Sequence, residues 1–377
     1  MNLSQSINPT DLRDFLKSEG WTVVERGLRD RLYVLENPGF PRRQLVYPMD
    51  MSAPDYNESV VSVIEKFADI GRANFRELIY RINSIKDDII KLRLFSEYQG
   101  SSLPLHFASS VVASTEKLLK AAACTVVRPR ANHPRLSLAE ATQLVDKARF
   151  GQTEEGSFVI NVSCPILAMD VQGSLTLSDS DQPFVRSVTL SLQRALQQLT
   201  NAIERDKLDD LVEDLKKSAA PLVSANLCEA IGGMQDDLIG NSLEFAIQWS
   251  PMRKVPDGLH TGRIKIQRDY FSRIEDVRRE LRAVEPHNDD TFIGTVERLE
   301  GEMGGDGHRS GNVILSLLLP DEGETVRARV TLSVSDYATA DKAHMTNGAY
   351  VRIRGRLLPG RQPRQLAEMT MFELLTK

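Results

Sequence analysis

The chain has 377 residues, 41% of them hydrophobic and 26% charged, which is the profile of a folded protein with room for two or three cores and excludes global disorder. Forty-seven Lys and Arg against 52 Asp and Glu leave a net charge of −5, so the surface as a whole is no electrostatic glove for nucleic acid and any anion site must be local. Cys124, Cys164 and Cys228 stand far apart with no CxxC and no neighbouring histidine, which excludes a disulfide framework and a cysteine-based zinc site and fits a reducing cytosol.

The first residues, Met1 to Leu12, lack the basic and apolar regions of a signal peptide, and no run approaches the ~18 apolar residues of a membrane span. A cytoplasmic protein with no membrane partner is expected. Asp11 to Lys17 reads as a short amphipathic helix, because Leu12, Phe15 and Leu16 share a face and Gly20 supplies a stop. Period-two alternation predicts strands over Trp21–Glu25, Leu32–Leu35 and Gln44–Tyr47, with Arg26–Arg31 and Asn37-Pro38-Gly39 as the loops between them. A helix from Tyr56 follows, and Phe75, Leu78, Ile82, Ile85, Ile89 and Leu92 continue at heptad-like spacing, so Glu58–Phe95 reads as largely helical. Ser114–Ala123 predicts another helix. The Ser137-Leu-Ala-Glu140 spacing of a capping box then opens a helix to about Ala148, and Ser157–Cys164 reads as a buried strand.

Pro183–Ser218 reads as one long helix with Val188, Leu192, Leu196, Leu199 and Ile203 as its apolar stripe. Two strands, Leu243–Trp249 and Arg263–Gln267, precede a last charged helix over Tyr270–Leu281. Glu285–Asp290 reads as a linker, beyond which five strands are predicted: Thr291–Leu299, Gly311–Leu318, Val326–Val334, Tyr350–Leu358 and Met369–Leu375. Turns are expected at Met303–His308 and Pro320–Glu324, and a short helix at Asp336–His344. The expected class is α+β and multidomain: an α-β-β-β-α unit over 1–72, a helix-rich α/β region over 73–285 and a five-stranded barrel over 289–377.

On Leu12–Leu16, Gly20-Trp21 and Val46-Tyr47-Pro48, the first 70 residues resemble the double-stranded-RNA-binding fold and, more narrowly, the HicA-type mRNA-interferase toxins. That resemblance implies a toxin–antitoxin or phage-defence setting in a bacterial-type cell. The toxin family's catalytic histidine has no counterpart, since residues 1–100 contain no His and Arg29-Asp30-Arg31 occupies the nearest stretch. Five strands with a helix between the third and fourth resemble the OB-fold.

The sharpest candidate site is Val351-Arg352-Ile353-Arg354-Gly355-Arg356, where alternation sends the apolar residues inward and Arg352, Arg354 and Arg356 to the other face, with Arg361 and Arg364 extending it. No acid interrupts residues 342–367, although residues 289–377 hold 13 acids against 11 bases. Tyr337, Tyr350 and Phe372 are the nearby aromatics that could stack bases. The competing explanation is an edge strand kept from aggregating by charge. A second candidate is Arg26, Arg29 and Arg31 with Arg42 and Arg43, five Arg against Asp30 and Glu36, read as two neighbouring loops that meet phosphates. The third is the proline-spaced loop Arg128–Arg135, which includes His133.

Six histidines show no HxxxH or HExxH spacing, and a His287–Asp290 ion site is outweighed by a linker role. Gly232-Gly233 lacks a nucleotide-binding frame, and Ser163-Cys164-Pro165 sits in apolar surroundings that keep a thiol inert. No catalytic residue, metal ligand or cofactor is indicated. The expectation is a non-enzymatic protein that binds nucleic acid or organises an assembly, with a protein partner or second copy meeting its long helices. The alternatives are a diverged nuclease of toxin-like fold and a purely structural subunit.

Overall fold

Asn8 opens the first helix, α1 (Pro9–Ser18), by accepting the Thr10 N–H at 2.9 Å while Pro9 occupies a position that needs no donor. In this computed structural model, which describes residues 7–96, 102–151, 158–169, 182–282, 289–305, 307–319, 325–358 and 360–375, two compact units emerge, Met1–Val284 and Glu285–Lys377. In the first, α1 is followed by β1 (Thr22–Val23), α2 (Glu25–Arg29), β2 (Leu32–Glu36) and β3 (Gln44–Pro48), an antiparallel sheet in the order β1-β2-β3. The segment expected as a loop after Trp21 is thus partly the helical turn α2. Gly27 permits this, because a Cβ there would come within 2.5 Å of Val34 Cγ2 and push the turn off β2. Trp21 is buried and stacks on Phe40 with ring centroids 6.1 Å apart.

The stretch expected to be one long helix from Glu58 to Phe95 is α3 (Tyr56–Gly71), α4 (Phe75–Asn83) and β4 (Asp87–Phe95). Arg72 ends α3 in the left-handed region at φ 49°, and Asn74 caps α4 by accepting the Arg76 N–H. The heptad-like spacing misleads at Ile89 and Leu92. β4 is paired on both sides, with β6 and β7, and from Ile90 onward it alternates as a strand should, with Leu92 and Leu94 buried and Lys91 and Arg93 half-buried between them. Ile89 and Leu92, three positions apart, satisfy a helical period only because the Ile89-Ile90 pair breaks that alternation. Leu78, Ile79, Ile82 and Ile85 join α1, α3 and the small sheet in one apolar cluster.

Around β4 stand α5 (Leu105–Val127), α6 (Ala139–Lys147), β5 (Arg149–Phe150), β6 (Phe158–Pro165), α7 (Phe184–Glu204), α8 (Leu208–Lys217), α9 (Ala225–Gly232), β7 (Ser242–Gln248), β8 (Ile264–Ile266) and α10 (Tyr270–Arg282). The strands form an antiparallel sheet in the order β5-β6-β4-β7-β8. The expected apolar stripe of α7 is wholly buried. Its expected continuation to Ser218 fails at Asp206, which takes φ 54° while the Lys207 N–H closes on the Ala202 carbonyl at 2.8 Å, so α8 starts afresh. Ser137 does not cap α6 as its spacing suggests. Leu138 holds the cap position without a side-chain bond.

A fully buried Arg186 ties this region together. Its Nη2 donates to Asp88 Oδ1 and to the Ser250 carbonyl, each at 2.8 Å, and its Nη1 donates to the Arg253 carbonyl at 3.0 Å. The guanidinium also lies 5.3 Å from the Trp249 ring centroid. Asp88 further accepts the Thr189 hydroxyl at 2.7 Å and the Ser250 N–H at 2.9 Å, so one ion pair joins α7, β4 and the chain after β7. No helix among the described residues is long and apolar enough to cross a membrane.

The second unit comprises β9 (Asp289–Met303), β10 (Arg309–Leu318), β11 (Thr325–Leu332), α11 (Val334–Met345), β12 (Tyr350–Leu357) and β13 (Arg364–Leu375). They close a barrel in the order β10-β11-β13-β12-β9, with β11 and β13 parallel and the other pairs antiparallel, an OB-like arrangement. β9 and β13 outrun their expected lengths: β9 bulges at Glu297 opposite Ile314/Leu315, and in β13 a register shift at Arg354/Arg356 beside Glu368, whose φ is 51°, breaks the alternation just before the expected start at Met369. Asp289 and Asp290 belong to β9 rather than to a linker, while residues 285–288 and the turn at 320–324 lie outside the described residues. Tyr337 of α11 is buried, and its hydroxyl accepts the Gly301 N–H at 2.9 Å. A Cβ on Gly301 would come within 2.4 Å of that ring.

Candidate nucleic-acid interface

Along β12 the side chains of Val351, Ile353 and Leu357 point into the barrel core, and Tyr350, Arg352, Arg354 and Arg356 share the outer face. The strand is bonded to β13 along its length and to β9 over Val351–Arg356. Edge protection therefore does not account for these arginines, since a strand paired on both sides has no edge to protect. Cross-strand neighbours temper their charge. Arg352 lies 3.8 Å from Glu373 and Arg356 lies 3.8 Å from Glu368, acids that the uninterrupted run 342–367 hides because they arrive from β13. Arg354, flanked by Thr291 and Met371, makes no ion pair among the described residues.

Arg361 is exposed in the connection to β13 and half-buried Arg364 begins that strand, both at the Arg356 end of the row, since Arg356 pairs with Ala367. Arg364 lies opposite Ala328, which brings β11 alongside and adds two arginines that sequence reasoning missed, Arg327 and Arg329. The alternation Val326-Arg327-Ala328-Arg329-Val330 was the signal that could have found them. Both are engaged, Arg327 with Glu297 at 2.8 Å and Arg329 with Glu300 at 3.5 Å. Of the three aromatics, Tyr350 is 51% exposed on the row, Phe372 packs partly against the core, and Tyr337 is buried and unavailable to a base.

The second candidate is corrected by strand register. Leu32 pairs with Pro48 and Glu36 with Gln44, so Arg29 and Arg31 sit at one end of the β2–β3 hairpin and Arg42 and Arg43 at the other. Five residues at about 3.4 Å each separate the groups by roughly 17 Å. All four are exposed, but they form two small basic patches rather than one.

The third, Arg128–Arg135, is a pinned loop and no free linker. The His133 N–H donates to Asn226 Oδ1 at 2.8 Å, Asn226 Nδ2 returns a bond to the His133 carbonyl at 2.9 Å, and the Ala225 N–H reaches the Ala131 carbonyl at 2.7 Å. The His133 ring is buried with Nε2 3.2 Å from the Thr125 hydroxyl, and burial, reinforced by Arg130, brings its pKa down to about 4. Gly233 packs on α5, where a Cβ would come within 2.4 Å of Ser114 Oγ, which gives this glycine a packing role; Gly232 faces open space.

Burial pushes the thiols up to about 11 at Cys124 and about 12 at Cys164 and Cys228. Among the described residues no group of three or more His, Cys, Asp or Glu could hold a metal ion, and His287 and Asn288 lie outside them. No protein-family model, curated protein or solved structure matches the chain.

Proposed function

We propose that the C-terminal barrel is a non-enzymatic module that binds single-stranded nucleic acid along β12, with Arg352, Arg354 and Arg356 meeting phosphates and Tyr350 stacking a base. The observation that carries this reading is that β12 is an interior strand and still presents an aromatic and three arginines in one outward row. Alternate residues on a strand stand about 6.8 Å apart, so the three guanidiniums span about 14 Å of a polyanion's path. Oligonucleotides on OB-type barrels commonly meet the second and third strands and the connection between the fourth and fifth. Here the row lies on the fourth strand, and only Arg361 belongs to that connection while Arg364 opens the fifth strand, so the proposed path is displaced toward β9 and β13. The double-stranded-RNA-binding likeness of the N-terminal unit stays part of the proposal at the level of fold. Its separated arginines contribute nothing to this surface.

Fluorescence anisotropy of a labelled oligo-dT of about 20 nucleotides with the full chain, titrated from ~50 to ~200 mM salt, tests it. Arg354→Gln should lower the slope of log affinity against log salt by about 0.7, and the triple change at 352, 354 and 356 by about 2. No affinity for the wild-type chain at ~50 mM salt, where sequence-independent phosphate contacts are strongest, discards the reading in favour of an assembly subunit.

A further inference from the structure

A cleft of about 560 Å³ opens in the first unit between α5, the loop after it, α9 and the end of α10, within the ~300–1,000 Å³ range of small-molecule sites. Lys117 and Lys120 line it from one face of α5, Arg135 from the loop and Arg282 from the last turn of α10, against the carboxylates Glu116 and Glu229. Four cations and two acids leave +2 in a chain whose total is −5. Glu116 already holds Lys120 at 2.7 Å, whereas Lys117 and Arg282 make no ion pair or hydrogen bond among the described residues.

Cations brought from separate segments to one concavity repel each other, and an anion seated among them turns that repulsion into attraction. The floor is set in advance. The reciprocal Asn226–His133 bonds and the fixed φ of Pro134 hold the loop, so little ordering remains to oppose a ligand. Buried His133 is neutral there, which leaves the positive charge to the rim.

We propose that this cleft binds a small phosphate monoester, its phosphate held by Lys117 and Arg282 and its organic part lying against Pro134 and Leu136. A phosphate monoester carries about −1.5 to −2 near neutral pH and matches the net charge of the walls, where a single carboxylate would answer only half of it. Inorganic phosphate would leave most of the volume unfilled. This site is independent of the barrel.

Lysine acetylation of the full chain, read residue by residue by mass spectrometry, tests it with AMP, ribose 5-phosphate, adenosine, inorganic phosphate and an unphosphorylated oligonucleotide as probes. At about 5 mM, an ester bound with Kd near 0.5 mM slows Lys117 modification about tenfold. Exposed Lys265 on β8 is the internal reference and stays unchanged. Arg282→Gln, an exposed substitution, should weaken that protection about tenfold in affinity. Absence of protection by both esters overturns the proposal. So does protection by adenosine, inorganic phosphate or the oligonucleotide equal to that by the esters, or protection untouched by Arg282→Gln.

Discussion

Replacing Arg186 with Met removes three guanidinium bonds and leaves the Asp88 carboxylate buried with only the Thr189 hydroxyl and the Ser250 N–H. Breaking a buried pair by deleting one partner costs about 3–5 kcal/mol, and the two surviving donors place this case near the lower end, about 3 kcal/mol. Burial already pushes the Asp88 carboxyl above the usual carboxylate range, opposed by Arg186, Thr189 and Ser250, so losing Arg186 raises it further. An acid whose pKa is higher folded than unfolded costs stability above the folded pKa, and that cost is relieved as pH falls toward the unfolded value of 3.8. The deficit of Arg186→Met is therefore largest near neutral pH and shrinks toward pH ~4. Urea unfolding followed by tryptophan fluorescence is the assay, because both tryptophans, Trp21 and Trp249, lie in the first unit. Exchanging both partners, Arg186→Met with Asp88→Leu, should recover most of the loss. A neutral-pH deficit below ~1 kcal/mol, or one that does not change with pH, refutes the reasoning.

Trp21→Ala should cost about 3–5 kcal/mol, since the indole is buried and stacked on Phe40; a variant within ~1 kcal/mol of wild type in the same urea assay contradicts the packing. Gly301→Ala drives a methyl into the Tyr337 ring and should destabilise the barrel by about 1–3 kcal/mol, visible as a lower melting temperature in calorimetry of the 285–377 fragment. That fragment should itself fold: limited proteolysis should release a stable piece of about 90 residues with β-type circular dichroism. His133 is held neutral below its unfolded pKa of 6.5, so the first unit should lose about 3 kcal/mol as pH falls from 6.5 to about 4, with no further loss from this residue below. His133→Asn should flatten that pH dependence, and an unchanged profile would assign it to other groups.

The barrel was legible because five alternating segments were separated by Gly-rich or polar turns, and a closed sheet keeps the inward set strictly every second residue. The outward arginines of β12 came with it. What stayed hidden depended on register or on distance along the chain. Glu373 and Glu368 reach the row from another strand, and whether Arg31 and Arg42 are neighbours depends on how β2 pairs with β3, which local pattern does not encode. Ile89 and Leu92 satisfied a helical period because they stand three positions apart, while Ile90, Leu92 and Leu94 alternating with Lys91 and Arg93 carried the strand signal that the heptad-like spacing outweighed. The Arg186–Asp88 pair spans 98 positions and the cleft gathers residues from Glu116 to Arg282, so neither leaves a motif.

The three cysteines make a practical reporter. All lie in one apolar cluster of the first unit, at most 1% exposed and with raised thiol pKa values, while the barrel contains none. A maleimide or aromatic disulfide added to the native chain should find nothing to label until that cluster opens, so the rate of thiol capture becomes a clock for opening of the first unit alone. The same silence leaves the surface free for a single engineered cysteine, on β12 or at the rim of the cleft, to carry a fluorophore without first stripping the native thiols.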